Sequence, residues 1–194
     1  MKLNRIKRII RLPRRIIFLS FVFVSINITA QNYYFDQYSV SEGLGQSTIF
    51  SMIQDKNDVY WLGTRAGVSL FDGMTFRNLT VEDGLAEGGV RALYEDSNGN
   101  IWLGHEMGGL VRYDGEKFQI FEESKLLFNS IITSIIEDAE GNLWVTSEQS
   151  GVVKILNPND KISEIKYEKF LGKRLSDRVF GSFVSQEGSL YFVA

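Results

Sequence analysis

The feature that most constrains this chain is a period. Trp61, Trp102 and Trp144 stand 41 and 42 residues apart, each six residues after an Asp (Asp55, Asp96, Asp138) and six or seven before a Gly (Gly67, Gly109, Gly151). The segments 50–76, 91–118 and 133–156 align around them, and a weaker copy over 178–194 carries Tyr191 at the Trp position. Self-similarity at this spacing makes each unit one supersecondary element, able to bury its apolar face only against a neighbouring unit.

Each unit reads as short strands divided by turns. An apolar run such as SIIE ends at Asp. A turn follows, with Asn98-Gly99 as a strong hairpin signal because both positions take positive φ. The second strand carries the Trp. A Gly-containing loop leads to a third strand, GVSLFD or GLVRYD, and Asp-Gly (72–73, 114–115) turns the chain into a fourth, FRNLT or FQIFE. Four antiparallel strands in about 40 residues match one propeller blade. The fold class is therefore all-β: an incomplete β-propeller of about three full blades (47–85, 88–127, 130–170), a partial blade (177–194) and an N-terminal outer strand. A sandwich would not need so regular a period.

Ser51, Ala92, Ser134 and Gly181 share one register in the first strand, where blades crowd around the axis and small side chains fit. The Trp positions are expected to pack between blades, since buried aromatic area dominates packing energetics. The segment YFDQYSVSEGL (34–44) resembles TFRNLTVEDGL (75–85), the fourth strand of a blade plus the loop leaving it. It is expected to supply the outer strand of a last blade, removing an exposed sheet edge. Three whole units and two parts do not close a ring, so the chain is expected to be the front of a longer protein or a truncated product. As an isolated piece it should behave poorly, because a two-stranded terminal blade leaves apolar sheet uncovered.

Residues 1–30 differ from the rest. MKLNRIKRIIRLPRR is basic, about thirteen mostly apolar residues follow, and Thr29-Ala30-Gln31 closes the segment: the order of a secretory signal peptide. The apolar run is short for a membrane span, which needs about twenty residues, though an uncleaved inner-membrane anchor is the alternative. Arg14-Arg15 fits twin-arginine export poorly. The whole chain is near −3, but without this leader 14 basic residues face 24 acidic ones, a net charge near −10. Such a surface repels phosphate backbones, so nucleic acid is not expected as a partner. With no Cys, disulfides and thiol chemistry are excluded.

The run Tyr94-Glu95-Asp96-Ser97-Asn98-Gly99-Asn100-Ile101-Trp102-Leu103-Gly104, continuing to Tyr113-Asp114-Gly115, resembles the two-component regulator propeller repeat. Ser39-Val40-Ser41-Glu42-Gly43-Leu44-Gly45-Gln46 is similar to that family's lead-in. The resemblance covers 33–194. It implies the periplasmic sensor region of a hybrid two-component system of the Bacteroidetes, in which propellers outside the inner membrane bind a signal, often an oligosaccharide, and a membrane helix leads to a histidine kinase. This chain shows no second propeller, second hydrophobic span or transmitter, so the kinase module is expected elsewhere and no kinase activity is assigned to these residues. Any homodimer is expected of the full-length protein.

Loops on a rigid scaffold are where binding specificity usually sits. The loops after the second strands vary most between units, which makes Arg65, His105, Glu106, Glu148 and Gln149 the candidate ligand-binding residues, able to meet sugar hydroxyls. His105, the one His, is expected to be a surface residue rather than a metal ligand. The Asp-rich turns do not keep calcium-loop spacing, and Asp55, Asp96 and Asp138 are expected to bond amides of their own turns. No catalytic residue, metal or cofactor is expected. The leading function is ligand binding by an extracytoplasmic sensor. The alternatives are a propeller enzyme acting on glycans, as lyase or hydrolase, and a protein-interaction scaffold.

Overall fold

The computed structural model describes residues 35–170 and 178–194; residues 1–30, expected to be a signal peptide, lie outside them. The chain divides after Gln37, and of the first unit only residues 35–37 are described, without regular structure. The second unit, from Tyr38, holds all the strands among the described residues. They form four antiparallel sheets with neighbours in chain order. The first is β1 (Ile49–Gln54), β2 (Tyr60–Thr64), β3 (Gly67–Phe71) and β4 (Phe76–Leu79). The second is β5 (Val90–Glu95), β6 (Ile101–His105), β7 (Leu110–Tyr113) and β8 (Phe118–Phe121). The third is β9 (Ile132–Glu137), β10 (Leu143–Ser147), β11 (Gly151–Leu156) and β12 (Lys166–Phe170). β13 (Gly181–Val184) and β14 (Leu190–Val193) pair as a two-stranded sheet. This is an incomplete β-propeller.

The three Asp–Trp pairs occupy equivalent places. Each Asp accepts amide hydrogen bonds in its own β-turn, and its second carboxylate oxygen accepts the indole N–H across the hairpin: Trp61 to Asp55 at 2.9 Å, Trp102 to Asp96 and Trp144 to Asp138 at 2.8 Å. The turn role expected from sequence is present, and the six-residue spacing serves a second purpose: it leaves no buried indole donor unsatisfied. At the same end, carboxylates stitch neighbouring blades. Glu95 accepts the Lys56 amide at 3.1 Å and Glu137 the Ser97 amide at 2.8 Å.

Two apolar clusters fill two seams. Trp61, Val68, Leu79, Leu85, Val90, Leu103 and Val111 bury between the first and second sheets; Trp102, Phe121, Phe128, Ile132, Val145, Val153 and Ile165 bury between the second and third. The first strands line up as the inner layer, with β1 against β5, β5 against β9 and β9 against β13. The glycine after the Trp–Leu pair lets them approach. A Cβ on Gly63 would lie 2.8 Å from the Val90 carbonyl oxygen, and one on Gly104 2.8 Å from the Ile132 Cβ. Across the next seam Ser134 is met not by Gly181, its counterpart in register, but by the following residue: the Ser182 hydroxyl donates to the Ser134 hydroxyl at 2.8 Å.

The lead-in is only partly the expected copy. Val40–Glu42 and Val81–Asp83 are single 3-10 turns with matching capping boxes, Ser39 with Glu42 and Thr80 with Asp83, each closed by a left-handed Gly43 or Gly84. The loop half therefore repeats. The strand half does not: residues 35–39 are irregular, and none of the four sheets includes them. An extended segment becomes a strand only on a ladder, and that edge is not among these sheets. β13 and β14 leave Phe183, Tyr191 and Val193 exposed.

Candidate functional site

The loops after the second and fourth strands interlace at one end of the propeller, opposite the Asp–Trp turns. The Glu106 amide donates to the Gly89 carbonyl and the Glu148 amide to Ile131, both at 2.9 Å. Asn129 and Ser130, after the helical turn α1 (Ser124–Leu127), bond into the loop at 147–150: the Ser130 and Ser147 hydroxyls are 2.8 Å apart, and Ser130 accepts the Gln149 amide at 3.0 Å. A loop face fixed by backbone bonds costs little ordering entropy when it meets a ligand.

The same end carries a repeated irregularity. The first strand of each four-stranded sheet is bulged opposite the end of the second, skipping from Ile49 to Ser51, from Val90 to Ala92 and from Ile132 to Ser134, whereas β13 pairs with β14 without a shift. The extra residues are Phe50, Arg91 and Thr133, one per blade on the innermost strand. Bulges re-aim side chains and are over-represented next to active sites. Here the Arg91 guanidinium lies 3.7 Å from the Phe50 ring centroid and pairs with the Glu106 carboxylate at 2.9 Å, each side chain under a third exposed. The Thr133 hydroxyl donates to the Val179 carbonyl at 2.7 Å.

Of the residues expected from sequence, Arg65 and Gln149 are exposed on the loops, Glu106 and Glu148 are half-buried, and all four lie at this end. His105 is a correction: it is 0% exposed rather than a surface residue. It ends β6 opposite Val90, beneath the Gly88-Gly89 loop, and its Nδ1 is 3.1 Å from the Gly88 carbonyl. Burial pushes its pKa down to about 4 against the opposing pull of that carbonyl, so the ring is neutral and Nδ1 is the donor. It supports the loop from below. Sequence reasoning missed Phe50, Arg91 and Thr133, whose only mark is that each precedes the small residue of its first strand. Among the described residues no group of three His, Asp or Glu could hold a metal.

Three segments, 43–66, 84–107 and 125–149, match the two-component regulator propeller family. A curated relative, Histidine kinase P4 of Formosa agariphila, is 37% identical over 62 residues, 32% of this chain and 4% of that protein. Among solved structures, the extracellular domain assigned to a hybrid two-component system of B. thetaiotaomicron superposes with a TM-score of 0.69 at 21% identity, over 84% of this chain and 23% of the other. A virginiamycin B lyase from Staphylococcus aureus gives 0.56 at 13% identity, over 75% of this chain and 48% of the lyase. At these identities the structures share the fold alone, and the chain spans less than half of each protein named.

Proposed function

Because this chain carries two-component regulator propeller repeats, we propose that it is part of an exported, periplasmic sensor region that binds an oligosaccharide or other small ligand on its loop face. The observation that carries the reading is the repeated bulge, which brings Phe50, Arg91 and, through its ion pair, Glu106 together at the inner edge of that face. An aromatic ring beside a guanidinium and a carboxylate supplies a flat apolar surface and planar hydrogen-bonding groups, the combination that polyhydroxylated ligands need. Arg65, Glu148 and Gln149 extend the polar rim, and His105 holds the loop beneath. The chain binds rather than catalyses. Occupancy is passed to a histidine kinase module by favouring one of two conformations, which requires differential affinity for them.

The test is calorimetry of the full-length protein against a panel of neutral and acidic oligosaccharides, with Arg91→Gln and Phe50→Ala as variants. At least one glycan should bind, and each variant should weaken it tenfold or more. Unchanged affinity in both variants contradicts the site. Turnover of a glycan to product contradicts the binding role in favour of an enzyme, and binding confined to another protein favours a scaffold.

A further inference from the structure

The seam between the first two blades is open on its outer side. A crevice of about 320 Å³ lies there, lined by Trp61, Leu70 and Arg77 from the first blade and by Tyr113, Lys117 and Phe118 from the second. The strand register explains the lining. Trp61 sits opposite Leu70, and Leu70 opposite Arg77, so the three form one cross-strand row on the face turned to the second blade. Tyr113 sits opposite Phe118 on that blade, with ring centroids 4.7 Å apart, and the Trp61 ring centroid is 5.4 Å from that of Tyr113.

The equivalent row in the second blade is Trp102, Arg112 and Gln119. That seam is plugged. The nine residues joining β11 to β12 fold back over it, and the Arg112 guanidinium donates to the Pro158 and Asp160 carbonyls and to Gln119. Four residues join β7 to β8, too few to reach across, so the first seam keeps its gap.

The chemistry of the gap is specific. Neither Arg77 nor Lys117 forms an ion pair among the described residues. Two carboxylates share the rim: Asp83, one of whose oxygens accepts the Thr80 amide at 2.9 Å, and Glu116. The cations suit one carboxylate, which an Arg takes in bidentate fashion. The rim carboxylates suit a hydrogen-bond donor beside it. The Tyr113–Phe118 pair suits a flat ring face, and the volume is at the small end of ligand pockets.

We propose that this outer seam is a second binding site, for a small ring-bearing carboxylate that also carries a hydrogen-bond donor. Two sources supply that chemistry, a uronic acid with its hydroxyls and an aromatic amino acid with its ammonium group. The site lies wholly within the first two blades and does not depend on the loop-face reading.

The experiment is saturation-transfer NMR and calorimetry on the full-length chain with four probes: galacturonate against galactose, and L-phenylalanine against phenethylamine, which lacks the carboxylate. One carboxylate of a pair should bind at least tenfold tighter than its neutral or cationic counterpart, and the winning pair identifies the source. Arg77→Gln and Lys117→Gln, both exposed, should each reduce binding fivefold or more. Leu70→Arg, which imports the residue of the plugged seam, should abolish it while the far-ultraviolet circular dichroism stays unchanged. The proposal is overturned if neither carboxylate binds, if the counterparts bind equally well, or if Arg77→Gln and Lys117→Gln bind as the parent does. A probe whose binding needs Arg91 but not Arg77 sits on the loop face and also overturns it.

Discussion

The first and second blade seams are built from one repeat, yet one is open and the other sealed. In both, an Asp-bonded Trp from the second strand faces the next blade, a close-approach glycine follows it, and the next first strand completes the inner layer. The difference lies in two choices further out. Leu70 in the first blade corresponds to Arg112 in the second, and a four-residue connection corresponds to a nine-residue one. A repeat thus fixes the inner geometry of a propeller and leaves the outer seams free to diverge.

The largest effect should come from removing a turn Asp at the sealed seam. Asp96 is 4% exposed and accepts four hydrogen bonds, from Trp102, Asn98 and twice from Asn100. Asp96→Ala orphans buried donors and should cost about 4 kcal/mol, with Asp55→Ala at the open seam costing about half of that. Urea denaturation measures both. Equal costs would mean that the seams do not differ in burial.

His105 comes next. It stands in the second blade where the first has Thr64 and the third Ser147. Its pKa falls from 6.5 to about 4 on folding, so below 6.5 the unfolded chain binds the extra proton. Stability should be intact above pH 6.5 and decline as pH falls toward 4, by up to about 3 kcal/mol. His105→Asn should flatten that slope in melts taken across the window.

Arg112→Leu gives the sealed seam the side chain of the open one. It strands the Pro158 and Asp160 carbonyls and should cost about 2 kcal/mol. Amide exchange over 157–165 should accelerate while that over the inner strands does not. The smallest effect belongs to Glu106→Gln. The Arg91 pair is partly solvated, so its loss should change stability by less than about 1 kcal/mol in the same denaturation measurement, even as ligand affinity falls.

The inner frame was legible in the sequence because period, turn chemistry and strand alternation all repeat. Asp55, Asp96 and Asp138 were readable as turn residues. Their indole bonds were not read from the sequence, although the six-residue spacing accounts for them, since a short hairpin turn brings Asp back beside the Trp. The bulges were not legible: whether Arg91 or Ala92 is the extra residue depends on ladder register, which one strand alone does not specify. His105 read as a loop residue because it directly precedes one, yet β6 runs one residue further and the Gly88-Gly89 loop covers it. The plug over Arg112 was hidden for the same kind of reason. Its partners are backbone carbonyls 46 and 48 residues away, which no side-chain pattern announces.

Hydroxyl-radical footprinting of the full-length protein tests most directly whether one frame holds an open and a closed seam. Tyr113 and Phe118, half-buried at the first seam, should oxidise readily, while Trp102 and Phe121, at 0% and 1% exposure beside the second, stay protected. Equal protection of the two pairs, or faster oxidation of Trp102, would contradict it.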